Sequence, residues 1–134
     1  MSSRTPTPSI VALAAGLDAA LVLLFVVIGR ASHGEDLLGV LTTWWPFLAG
    51  LVVAWLVLRA WRQPLRIRWT GVAIWLITVV VGLLLRVVSQ QGVQLSFVVV
   101  TFVVVGVFLL GWRAIGALVV SLRHRAKADS VSTR

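Results

Sequence analysis

Four long apolar segments take up most of the sequence. They cover about residues 9–29, 44–60, 70–88 and 94–118. Each approaches or exceeds the roughly 20 residues that a helix needs to cross the hydrocarbon core of a bilayer. Of the 134 residues, 60% are hydrophobic and 12% are charged, whereas a soluble domain is about half apolar and a quarter charged. Because so much apolar surface needs lipid to face, the chain is expected to be membrane-embedded.

The order of these segments predicts an all-α fold, a membrane-embedded four-helix bundle made of two helical hairpins. Residues 1–8 form a polar N-terminal arm, 9–122 the transmembrane domain, and 123–134 a basic tail that we expect to be disordered. The first segment is interpreted as a true span rather than a cleaved signal peptide. Asp18 interrupts its apolar region, and Arg30 occupies a position where a cleavage site needs a small residue.

The second span is expected to start after Thr42 and Thr43, either of which is able to cap it. Pro46 would then lie in the first turn, where a missing amide hydrogen is tolerated.

The distribution of arginine predicts the orientation. The second connection and the tail are basic, with Arg59, Arg62, Arg66, Arg68, Arg123, Arg125 and Lys127. By the positive-inside rule both face the cytoplasm, and four spans bring the N-terminus to the same side. We therefore expect a multi-pass protein of the cell (inner) membrane, N-in and C-in, whose Arg59, Arg62, Arg66 and Arg68 meet anionic lipid headgroups. The net charge of +8 does not indicate nucleic acid, because these arginines flank spans instead of covering a soluble face.

Five tryptophans fall at the expected membrane boundaries and are interpreted as interface anchors. They are Trp44 and Trp45 on the outer side, and Trp61, Trp69 and Trp112 on the inner side. Trp55 and Trp75 lie deeper, and helix packing is the simplest reason for their positions.

Asp18 is the one acidic residue inside any predicted span. A charge near the bilayer centre costs roughly 2.5–3.5 kcal/mol on insertion scales, so we expect Asp18 to face the bundle interior and to be paired or protonated. Ala12, Gly16 and Ala20, spaced four apart, predict close approach of another helix on this side. Two interpretations stay open: a structural polar clamp, or a proton- or cation-coupled site.

Two arginines, Arg86 and Arg113, complete the candidate intramembrane polar site with Asp18 and Thr78. Thr78, Gly82 and Arg86 recur every four residues and should share one helix face. Either arginine is able to bind a lipid headgroup, an anionic substrate or Asp18. For both we favour extension of the long side chain to the interface. Direct pairing with Asp18 is not expected, because Arg86 should lie about 10 Å outward of it.

The first connection holds the densest polar cluster, Arg30, His33, Glu35 and Asp36. Metal binding there is a minor alternative to a solvated loop with local ion pairs, because no second group of ligands accompanies it. The chain has no cysteine, no phosphate-binding glycine loop, no zincin motif and no nucleophile elbow. We therefore expect neither enzymatic activity nor a cofactor.

Four motifs lie at the ends of the spans and in their connections: Ile28-Gly29-Arg30-x-Ser32-His33-Gly34-Glu35, Thr43-x-Trp45-Pro46-Phe47, Arg59-Ala60-Trp61-Arg62-x-Pro64 and Leu110-Gly111-Trp112-Arg113. From about Asp18 to Arg113 the chain resembles an uncharacterised family of small four-helix membrane proteins, the domain of unknown function 3054. The resemblance implies a four-helix fold. It also implies nine pattern positions of the family in this chain: Asp18, Arg30, His33, Trp45, Pro46, Arg59, Trp61, Arg86 and Arg113. It implies no activity, cofactor or substrate.

Three functions are compatible with these features. The first is an accessory or interaction subunit of a membrane assembly, whose partner is a membrane protein or a second copy of the chain. The second is a small homo-oligomeric proton- or ion-coupled transporter or channel that uses Asp18. The third is a lipid- or quinone-binding membrane protein that uses tryptophan and arginine at the interfaces.

Overall fold

A computed structural model describes residues 5–32, 34 and 36–132 of the chain. These residues form four α-helices: α1 (Pro8–Ala31), α2 (Leu37–Leu58), α3 (Val72–Val88) and α4 (Leu95–Ser132). A 3-10 turn at Ala60–Arg62 and a π-helical turn at Ile67–Gly71 lie between α2 and α3. The described residues include no strand. The predicted all-α, four-helix fold is confirmed.

All four helices are long and apolar enough to cross a membrane, when the π-helical turn is counted with α3. Large aliphatic side chains such as Leu13, Val52, Leu84 and Val107 are at least half exposed along them. A surface of this kind is stable against lipid and unstable in water, as expected of a membrane bundle.

The bundle has two distinct ends. The start of α1, the α2–α3 connection and the C-terminal part of α4 lie at one end of the bundle. We call it the basic end (residues 5–10, 59–66 and 114–132). The connections α1–α2 and α3–α4 lie together at the opposite end (residues 30–40 and 86–96, as far as described).

Helices α2 and α3 pack backbone against backbone because glycines lie at their contact. A Cβ atom at Gly50 would lie 2.7 Å from the carbonyl oxygen of Thr78, and one at Gly82 would clash with the ring of Phe47. Thr78, Gly82 and Arg86 are all buried, so the helix face predicted from their spacing does point inward.

Helix α1 buries the face that carries Asp18, together with Ala14 and Val22. The Ala12, Gly16 and Ala20 stripe is not part of this face. All three residues are exposed, and a Cβ atom at Gly16 would meet nothing within 4 Å. The expected contact between this stripe and a helix of the same chain is therefore wrong. Gly16 lies about 160° around the helix from Asp18, so burial of the charge turns the stripe outward.

Helix α2 begins seven residues earlier than the apolar run, at Leu37. The carboxylate of Asp36 accepts a hydrogen bond from the backbone N–H of Gly39 at 3.1 Å, and thereby caps the helix. The expected cap at Thr42 or Thr43 is wrong, and Pro46 lies buried inside the helix. A helix starts where a cap satisfies its first amide groups, which need not be where hydrophobicity begins.

Helix α4 continues to Ser132, where the sequence predicted a disordered tail. No glycine or proline follows Gly116, and alanine, leucine, arginine and lysine are frequent in this stretch, so nothing interrupts the helix. The 38 residues of α4 extend about 57 Å, well beyond the roughly 30 Å of hydrocarbon. The basic residues after Leu122 therefore form a helical extension beyond the bundle.

The packing of α2 on α3 predicts that Gly50→Ala lowers the free energy of unfolding by about 1–3 kcal/mol, because the added methyl group meets the Thr78 carbonyl. Gly116→Ala is the matched control, since a Cβ atom there meets nothing within 4 Å. Unfolding of both purified variants in detergent measures the difference. Equal stability of the two variants would contradict the close packing.

Candidate functional site

Asp18 of α1 and Arg113 of α4 form an ion pair inside the bundle. Both side chains are 0% exposed. The guanidinium donates from Nη1 to Oδ1 of Asp18 and from Nη2 to Oδ2, each at 2.7 Å. This two-bond arrangement is the strongest geometry available to an arginine and a carboxylate.

Two indole groups complete the surroundings of the carboxylate. Trp112 donates from Nε1 to Oδ1 of Asp18 at 2.7 Å, and Trp55 donates to Oδ2 at 3.0 Å. Each carboxylate oxygen therefore accepts two hydrogen bonds. A buried charge is tolerated when a counter-charge and hydrogen bonds satisfy it, and Asp18 has both.

The remaining contacts of Arg113 reach the connection that precedes α3. Its Nε donates to the carbonyl oxygen of Pro64 at 3.0 Å, and its Nη1 also donates to the carbonyl oxygen of Leu109 at 2.9 Å. The guanidinium lies 4.5 Å from the ring centre of Trp112. One cluster of side chains, which we call the clamp (Asp18, Trp55, Trp112 and Arg113), thus joins α1, α2, α4 and the α2–α3 connection.

The pairing of Arg113 differs from the sequence prediction. Arg113 does not extend to the interface, and it does pair with Asp18. The distance of each residue from the basic end of its span would have indicated this. Asp18 lies ten residues after Pro8, and Arg113 lies nine residues before Leu122, so both are at a similar depth from the same end of the bundle. No sequence signal beyond its depth identifies Trp55 as a partner. The sequence predicts Trp112 to be an interface anchor, whereas its indole donates to Asp18.

The geometry of the clamp favours the structural interpretation of Asp18. The carboxylate is enclosed by four donors, and Asp18 itself lines none of the four main cavities of the described part of the chain, although its partner Trp55 lines one of them. A proton or cation that reached Asp18 would have to displace Arg113 or an indole. The hydrogen bonds of the clamp hold the helices together.

Arg86 and Thr78 are not part of the clamp. Arg86 is 8% exposed at the opposite end, where its Nη1 donates to Oε1 of Gln91 at 2.9 Å and its guanidinium lies 4.7 Å from the ring centre of Phe97. Arg86 is therefore held by the residues that follow α3 and is covered by protein. The buried hydroxyl of Thr78 has no hydrogen-bond partner among the described residues.

The polar cluster of the first connection divides between separate roles. Arg30 donates from Nη1 to the hydroxyl of Thr43 at 2.6 Å, and Asp36 is used as the cap of α2. His33 and Glu35 lie outside the described residues, so the predicted grouping of these four side chains has no structural description.

The tryptophans interpreted as anchors have different environments. Trp45, Trp61 and Trp69 are exposed, as an interface position requires. Trp44 packs against the core, and Trp112 turns inward to Asp18. Trp75, expected to serve in packing, lies against Gly106 and donates to the carbonyl oxygen of Phe102 at 2.9 Å.

Comparison with known proteins gives one result. The model of a family described as "Protein of unknown function (DUF3054)" matches residues 15–116. This range contains all four residues of the clamp. No curated protein and no solved structure matches the chain.

The clamp predicts that Asp18→Asn lowers the free energy of unfolding by about 3–5 kcal/mol, because it leaves the charge of Arg113 buried without its counter-charge. Asp36→Asn is the matched control, since asparagine caps a helix as well as aspartate does. Denaturation of both variants in detergent is the measurement. A stable Asp18→Asn protein would contradict a structural role for the carboxylate.

Proposed function

The chain belongs to the DUF3054 family of proteins of unknown function, and within that family we propose that it serves as an accessory, interaction-forming subunit of a membrane assembly. Its functional surface is then the outward face of α1. The partner supplies a transmembrane helix, from another membrane protein or from a second copy of the chain.

The observation that carries this proposal is the outward stripe of Ala12, Gly16 and Ala20. A glycine in a helix interior costs roughly 1 kcal/mol relative to alanine. No contact within the chain requires a glycine at position 16, since a Cβ atom there meets nothing within 4 Å. Small residues four apart let helix backbones approach closely in lipid, so the stripe suits a helix from outside the chain.

The clamp supports the same choice by weakening the transporter alternative. Asp18 is the one acidic residue within the predicted spans, and it is enclosed by Arg113 and two indoles. Coupled transport through Asp18 would need a route to the carboxylate and a way to release its partners. An interaction subunit needs only a stable bundle and a free surface.

The proposal includes an orientation in the cell (inner) membrane, with the basic end and both termini in the cytoplasm. The arginines of the α2–α3 connection and the basic extension of α4 lie at this same end, which the positive-inside rule assigns to the cytoplasm. Arg59, Arg62, Arg66 and Arg68 would there contact anionic headgroups.

Reporter fusions in a bacterial host test this orientation. A fluorescent protein fused after Arg134 should fluoresce, and alkaline phosphatase fused there should be inactive. An insertion between Gln91 and Gly92, at the opposite end, should give the reverse pattern. Active phosphatase after Arg134 would contradict the orientation.

In-cell photo-crosslinking tests the interaction surface. A photoreactive residue at Ala20 should give a discrete adduct in native membranes, and Gly16→Ile should remove it, because the larger side chain prevents close approach of a helix. A probe at Ala117, an exposed small residue of α4, is the matched control and should give no such adduct. Two differently tagged copies of the chain show whether the partner is a second copy.

Equal crosslinking from Ala20 and Ala117, or an adduct from Ala20 that Gly16→Ile leaves unchanged, would contradict the proposal. The overall fold should not change in Gly16→Ile, since the position is open within the chain. Its thermal stability in detergent serves as the check.

A further inference from the structure

A pocket of about 420 Å³ opens at the opposite end of the bundle from the clamp. Helices α1, α2, α3 and α4 all contribute to it, and its lining contains both polar and apolar side chains. The polar side chains are Arg30, Ser32, Thr43, Arg86, Gln94 and Ser96. We call it the arginine pocket.

Arg86 is the most constrained residue of the arginine pocket. Its side chain is more than nine-tenths buried, and its hydrogen bonds go to uncharged oxygens, the side chain of Gln91 and the backbone carbonyls of Gln91 and Gly92. Its buried Nε has no hydrogen-bond partner among the described residues. A buried cation is costly unless a counter-charge and hydrogen bonds satisfy it. Among the described residues Arg86 has no carboxylate partner, and its hydrogen bonds do not use Nε.

Arg30 brings a second positive charge to the same pocket. It is held by the hydroxyl of Thr43, and its guanidinium lies close against Gly39, where any Cβ atom would clash with it. The glycine thus makes room for the arginine. No aspartate or glutamate occurs among the described residues that line the pocket. Arg30 and Arg86 thus place two guanidinium groups in the lining of one pocket.

The clamp shows how the same bundle treats an arginine that serves structure. Arg113 has a carboxylate on its fork, and its Nε donates to a backbone carbonyl. Arg86 has no described carboxylate partner and an unused Nε. Arg86 therefore keeps hydrogen-bonding capacity that no described residue uses.

We propose that the arginine pocket binds a phosphate group. A guanidinium presents paired N–H donors that match the oxygens of a phosphate, and Thr43, Gln94 and Ser96 offer further donors around it. Phe25, Phe97 and Val100 supply apolar lining, and Val100 is also half exposed on the surface of α4. This arrangement accommodates the phosphate of a lipid headgroup, and it also accepts free phosphate.

Native mass spectrometry of the detergent-purified chain tests the proposal with three probes: phosphatidylglycerol, phosphatidylcholine and inorganic phosphate. Phosphatidylglycerol should bind at least tenfold more tightly than zwitterionic phosphatidylcholine. Arg86→Gln should weaken this binding at least tenfold, and Arg30→Gln should weaken it as well. Arg125→Gln, which removes an exposed charge of the α4 extension, is the matched control and should bind as the unmodified chain does.

The outcomes separate the two sources of phosphate. Binding of phosphatidylglycerol without inorganic phosphate identifies a lipid site, and Arg86-dependent binding of inorganic phosphate identifies a site for the free ion. If Arg86→Gln does not fold, Arg86→Lys replaces it, since lysine keeps the charge and loses the fork. Binding that is the same in the Arg86 variants, the Arg30 variant and the control would overturn the proposal, as would binding of none of the probes.

Discussion

The ion pair of Asp18 and Arg113 is the contact on which the rest of the structure depends. Either charge alone would cost several kcal/mol within a bilayer, so each makes the other possible. The pair joins the first and last helices of the bundle, which lie 95 residues apart in sequence. Trp55 adds α2 to the contact, and Pro64 adds the connection before α3. A single polar cluster thereby fixes how the helical hairpins fit together, in a surrounding where hydrophobic burial gives little preference.

This arrangement separates structure from function along the bundle. Within the clamp Asp18 is fully paired, and the glycines of α2 and α3 allow close contact between those helices. Two features are not explained by contacts within the chain, one on the surface of α1 and one at the end of the bundle opposite the clamp. Gly16 faces outward with nothing against it, and Arg86 keeps a buried donor without a partner among the described residues. We place the interaction surface at the outward face of Gly16 and the phosphate pocket at Arg86.

The number of helices and the all-α fold follow from the length and hydrophobicity of four segments, since only helices of that length satisfy their backbone within lipid. The inward position of Asp18 and the shared face of Thr78, Gly82 and Arg86 follow from charge and spacing. Three features could not be obtained this way. The cap at Asp36 lies outside the apolar run. The outward position of Gly16 depends on which of two opposite faces of α1 is buried. The indole of Trp55 reaches Asp18 only because of how α2 packs on α1. Pairing of Arg113 could have been predicted by comparing depths.

A double-mutant cycle tests the central role of the ion pair most directly. The free energy of unfolding in detergent is measured for the unmodified chain, for Asp18→Asn, for Arg113→Gln and for the double variant. If the two charges stabilise each other, the double variant loses less than the sum of the single losses, by at least about 1 kcal/mol. Losses that add without such a difference would show that the two residues act independently, and would contradict the account.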